Sequence, residues 1–117
     1  MTGERADGRP RASAGPASPN PAAFHLGPAH VIVFGNPAFV AAYGTETLGQ
    51  PAREAMVDLP SAAFELMDMV LREGRPLALR IRVSGAERRL LVVPRKEADT
   101  GETYGVATYL RPAPPDH

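Results

Sequence analysis

The sequence predicts an α+β domain in which short helices cover one face of an antiparallel sheet. Three observations predict it. Apolar residues recur at helical spacing between Asn36 and Gly74, they alternate with period two from Leu77 onward, and the later segments are joined by hairpin-length turns. A short β-branched segment precedes the helices, so strand material lies on both sides of them in sequence.

That opening segment is His30-Val31-Ile32-Val33-Phe34, and Phe24–Leu26 pairs with it across Gly27-Pro28. A helix follows at once. Asn36 suits the N-cap and Pro37 the first helical position, Phe39, Val40 and Tyr43 share a face, and Gly44 suits a left-handed C-terminal cap. Thr45 to Pro60 reads as loop, with a single helical turn near Ala52–Met56. Ser61 is placed to cap a longer helix whose apolar stripe holds Ala63, Phe64, Leu66, Met67, Val70 and Leu71, and Gly74 ends it. Leu77, Leu79, Ile81 and Val83 then alternate with Ala78, Arg80 and Arg82 as a half-buried strand. Ser84-Gly85 turns the chain into a strand over Glu87–Val93, and Asp99-Thr100-Gly101 lies in the turn before a last strand, Glu102–Leu110.

Residues 1–22 are rich in Pro, Ala, Gly and Arg and poor in large apolar side chains, so they are expected to form a disordered tail. The folded unit is expected over 23–111. Residues 112–117, with three prolines, are expected to be a second disordered tail.

At this point the residues resemble a known family. A strand leading to Asn36-Pro37-Ala38-Phe39, then Tyr43-Gly44, Leu48-Gly49-Gln50-Pro51, a helix ending at Gly74 and three closing strands resemble a PAS domain. The resemblance implies a PAS-like five-stranded antiparallel sheet cupping short helices, with a cavity between them for a cofactor or small ligand. It also argues against the two familiar cofactors. Where flavin-binding relatives carry the adduct-forming Cys this chain has Ala52, with Arg53 retained after it, and Pro51, Met56 and Ala107 replace the polar groups that read the flavin. Haem-binding relatives take a His from the long helix, and Ser61–Glu73 contains none. No cofactor is therefore expected.

Patterning places a candidate pocket between Phe39, Tyr43, Leu48, Met56, Phe64 and Met67 on the helical side and Leu79, Ile81, Leu90 and Val92 on the sheet. Ala107 is expected to leave space there, and Tyr43, Tyr109 and Arg88 to fix the polar end of a small apolar ligand. The same side chains also make an ordinary filled core. If Leu90 and Val92 point inward, Leu91 and Val93 point outward, and Tyr104, Val106 and Leu110 are expected to join them in an apolar outer face. Such a face suits a homodimer or a signalling partner, or a cover supplied by the N-terminal segment. Arg80, Arg82 and Arg89 around it read as solvated strand charges.

Composition excludes more than it identifies. With no cysteine there are no disulfides, thiolate metal sites or thiol nucleophiles. Thirteen basic and thirteen acidic side chains balance, which disfavours nucleic acid and anionic membranes as partners. No apolar stretch approaches the roughly 20 residues of a spanning helix, and no signal segment opens the chain, so a cytoplasmic protein is expected. His25, His30 and His117 have no metal-site spacing and read as surface or strand-edge residues. Ser61, Ser84, Asp58, Glu65, Asp68 and Glu73 assemble no catalytic constellation, Asp58 having no evident partner. A non-catalytic sensory or regulatory domain is expected, as a ligand sensor or as a ligand-free interaction module. Leu110-Arg111-Pro112 departs from the helical linker through which PAS domains usually reach an output domain.

Overall fold

The computed structural model describes residues 19–114. Residues 1–18 and 115–117 of the two expected tails lie outside the described residues. Strands β1 (Ala22–Leu26) and β2 (Val31–Gly35) form the opening hairpin. Helices α1 (Pro37–Tyr43), α2 (Ala52–Ala55) and α3 (Ser61–Glu73) follow, with a 3₁₀ turn at Thr45–Thr47 between the first two. Strands β3 (Leu77–Val83), β4 (Ala86–Lys96) and β5 (Thr103–Pro112) close the chain. They make one five-stranded sheet in the order β2-β1-β5-β4-β3, with every pairing antiparallel. The last strand thus lies at the centre, between the first and the fourth.

Asn36 holds the start of the helical segment to the sheet. Its side-chain oxygen accepts from Phe39 N at 2.9 Å, capping α1, and from Ala22 N at 3.0 Å, while its amide donates to Asn20 O. Gly44 has positive φ with extended ψ rather than the left-handed helical cap expected, whereas Gly74 is left-handed and ends α3. Ser61 is not a cap: it is the first residue of α3, preceded by Pro60, and no side chain caps that end. Pro112 was expected to lie outside regular pairing, yet β5 runs through it opposite Arg88. An imino residue at a strand end loses no ladder bond that the sheet needs there.

Register assigns each strand residue to a face, because partners across a ladder share one. On the helical face, Pro94, Val106, His25 and Ile32 form one row across β4, β5, β1 and β2, and Val92, Thr108, Ala23 and Gly35 the next. Of these, Val106, Ile32, Val92 and Ala23 pack with Phe39, Met67, Val70, Ile81 and Leu90 in a single core cluster. Burying each large side chain there stabilises the fold by about 1.5–3 kcal/mol. On the opposite face, Val93, Ala107, Phe24 and Phe34 form a row across the same four strands.

A register shift between Arg95 and Lys96 leaves Tyr104 unpaired, since Arg95 opposes Gly105 and Lys96 opposes Thr103. The extra residue reverses the alternation of β5 on either side of it. Gly105 suits this site for another reason: an added Cβ would run into the carbonyl oxygen of His25. Among the described residues, no helix is long and apolar enough to cross a membrane.

Candidate functional site: a closed helical side and an open sheet face

Between helices and sheet, the expected pocket residues divide. Phe39, Met56, Phe64, Met67, Ile81, Leu90 and Val92 are buried in the core cluster, with Tyr43 and Leu79 packed at its edge. The other three lie elsewhere. Leu48 is 44% exposed, at the end of the 3₁₀ turn. Ala107 and Tyr109 sit on the outer sheet face, opposite Val93 and Leu91, and cannot line an inner pocket. In the same way Val106 and Leu110, expected outside, point inward and belong to the core. The reason is the unpaired Tyr104: its ring is on the outer face, but the residues at two-residue steps beyond it are not. Ala107 therefore does not occupy the inward position assigned to it by resemblance; Val106 and Thr108 flank it on that side.

The inner face instead carries a polar cluster that the sequence reading missed. His25 and His30, expected at the surface, are 0% and 2% exposed. His25 Nδ1 lies 3.2 Å from His30 O, which only accepts, so Nδ1 donates and Nε2 is left to accept from Thr108 Oγ1 at 2.9 Å. That arrangement suits a neutral ring. Burial, opposed in part by the bond to His30 O, lowers the His25 pKa to about 4. His30 reaches Asp68 of α3 with Nε2 at 2.7 Å, while its Nδ1 is buried without a hydrogen-bond partner. Asp68, expected on the wet face of α3, is thus tied to the sheet, and its other oxygen lies 3.5 Å from Arg53. In Ala22-Ala23-Phe24-His25-Leu26, period two alone sends the bulky apolar residues inward, and here the rows place Phe24 outside and His25 inside.

Clefts open on the surface of the described residues, two of them beside residues named above. The first, about 260 Å³, is lined by Asn20, Tyr43, Asp58, Val83, Arg88 and Leu110 among others. Asp58 is not isolated: it accepts from Tyr43 O–H at 2.9 Å, and burial together with this carboxylate raises the phenol's pKa. The second, about 290 Å³, is lined by Ala78, Leu79, Arg80, Arg89 and Pro114. No group of three His, Cys, Asp or Glu that could hold a metal occurs among the described residues.

The outer face is apolar at its centre and cationic at both ends. The Phe24 and Phe34 rings stack with centroids 5.1 Å apart. Arg95 lies over Phe24 at 4.3 Å and beside Tyr104 at 5.3 Å. Leu26, Phe34 and Tyr104 are each more than a third exposed. Leu91 and Val93 are half-buried there, as alternation from Leu90 and Val92 implies.

No family model matches the sequence, and no curated protein matches it. Solved structures do. The PAS domain of histidine kinase ThkA superposes with a TM-score of 0.66 at 13% identity, covering 79% of this chain and 98% of that one. A domain of an HTR-like protein from Haloarcula marismortui gives 0.63 at 16% identity, covering 80% and 97%. A sensory box sensor histidine kinase from Vibrio cholerae gives 0.64 at 16% identity, covering 79% and 80%. The chain has the PAS fold, as its motif order implies.

Proposed function

We propose that the chain is a non-catalytic regulatory domain of the PAS type, working in signal transduction by presenting the outer face of its sheet to another protein. One observation carries the reading: the row Phe34–Phe24–Ala107–Val93 lies on the sheet face opposite the one on which the described helices pack. An aromatic and aliphatic row in that position costs solubility and contributes little to the core, so association is the use that fits it. The similar domains in sensor kinases support a signalling context. Flavin and haem have no part in this reading.

Site-specific cross-linking in the producing cells tests it. A photoreactive phenylalanine analogue at Phe34 should form a discrete adduct with one protein, which Val93→Asp abolishes. The same analogue at Glu65, exposed on α3, should form none. Equal adducts from both positions, or adducts indifferent to Val93→Asp, contradict the proposal.

A second reading, a sensor of a small ligand, is favoured by the cleft at Tyr43, Asp58 and Arg88. It moves the ligand from the core to the open end of the sheet, where a polar group has Arg88 and the Tyr43–Asp58 pair to meet. Native mass spectrometry decides: a fixed-stoichiometry ligand lost in Arg88→Ala supports it, and ligand-free protein that no metabolite mixture stabilises removes it.

A further inference from the structure

The outer face carries a charge pattern that the sheet itself does not need. Arg80 opposes Arg89, and Arg89 opposes Arg111, so three guanidinium groups form a row across β3, β4 and β5. Like charges directly opposite on one face of a sheet are destabilising, and a row of three repeats the penalty. Glu87 relieves part of it, meeting Arg82 at 2.9 Å and Arg80 at 3.6 Å. Nothing comparable meets the others. Among the described residues the Arg89 side chain makes no hydrogen bond, ion pair or ring contact, Arg111 lies beside the Tyr109 ring at 5.9 Å, and Arg95 lies against the Phe24 and Tyr104 rings.

The whole chain is neutral, with thirteen charges of each sign, so this surplus is a local arrangement. Between the arginine row and Arg95 lie the residues Leu91, Tyr109, Val93 and Ala107, two ladder rows of apolar surface. At about 3.4 Å per residue, the six-residue step from Arg89 to Arg95 spans about 20 Å, roughly the length of a short helix of 13 residues.

Resting on the outer-face reading above, we infer that this surface docks an acidic amphipathic protein segment, apolar along its centre and carrying Asp or Glu toward both ends. A second copy of the chain fits less well: it brings the same arginine row, with Glu87 already engaged by Arg80 and Arg82. Nucleic acid would leave the apolar rows against a hydrated phosphate backbone. An acidic segment supplies carboxylates for Arg89, Arg111 and Arg95 and covers the apolar rows together.

The test uses two labelled designed helices, alike in an apolar leucine face and flanked either by glutamates or by glutamines, read by fluorescence anisotropy on the full chain. The glutamate helix should bind at least about tenfold more tightly, and its affinity should fall as salt rises. Arg89→Glu should reduce that preference without lowering the melting temperature, because a glutamate between Arg80 and Arg111 breaks up the repulsive row. Equal binding of the two helices overturns the inference while leaving outer-face association standing. Tighter binding of a single-stranded oligonucleotide of equal charge, or sedimentation as a dimer that Val93→Asp dissociates, assigns the face to another occupant and also overturns it. No binding of the glutamate helix does the same, and the cross-linking from Phe34 then reports on the broader reading independently.

Discussion

His30 in the β1–β2 turn and Asp68 in α3 are joined by a 2.7 Å contact from Nε2 to a carboxylate oxygen, fastening the edge hairpin to the long helix. The histidine is buried and the aspartate nearly half exposed, so the bond has a dry end and a wet end. Asp68→Ala leaves the buried Nε2 without its acceptor, and Nδ1 already lacks a partner. The expected loss is about 1–3 kcal/mol in urea denaturation. Asp68→Asn, which keeps an acceptor oxygen, should recover part of it. A loss below about 0.3 kcal/mol would show that the contact does not form in solution.

His25 predicts an acid-sensitive fold. Its ring titrates near 6.5 when unfolded and near 4 when folded. Between those values the unfolded chain takes up a proton that the native chain refuses, so stability is full above pH 6.5 and falls as the pH drops toward 4. A shift of this size corresponds to about 3 kcal/mol. Unfolding free energies across that window check it, together with the His25 ring signals in NMR, which should titrate near pH 4. A ring that titrates at 6.5 in the folded protein contradicts the buried, Thr108-bonded geometry.

Asn36→Ala removes the cap of α1 and the acceptor of Ala22 N in one step. Losing a cap costs about 1 kcal/mol and stranding a buried backbone donor about 1–3 kcal/mol. Asn36→Asp keeps the shared oxygen and should cost less than alanine. Equal costs for the two substitutions would contradict the double acceptor role, and chemical denaturation distinguishes them.

The order of elements was legible because it depends on local signals. Asn36-Pro37 starts a helix by its own chemistry, Gly74 stops one, and the alternation from Leu77 to Val83 survives any tertiary context. Leu90 and Val92 could be set inward for the same reason, with Leu91 and Val93 outward. The phase of β5 could not. In Thr103-Tyr104-Gly105-Val106-Ala107-Thr108-Tyr109-Leu110 both alternations hold apolar residues, and the unpaired Tyr104 transfers its outward position to the wrong set. The histidines were missed for a related reason. Burial of His25 depends on Thr108 from a strand 83 positions away, and that of His30 on Asp68 from a helix, neither of which has a signature at short range.

The phase of β5 is open to direct check. Leu110→Ala removes a core side chain 8% exposed and should cost about 2–4 kcal/mol. Leu91→Ala, on the half-buried outer face, should cost less than about 1.5 kcal/mol. If Leu91 proves the more costly of the two, the inward and outward sets are exchanged.

The measurement that bears most directly on the outer face as the working surface is methyl and amide NMR of the full chain titrated with the glutamate-flanked helix. Shifts concentrated at Leu91, Val93, Ala107 and Arg111, with Met67, Val70 and Leu90 unmoved, are the predicted result. Shifts concentrated at Met67, Val70 and the Tyr43 cleft, with the outer rows silent, would contradict it.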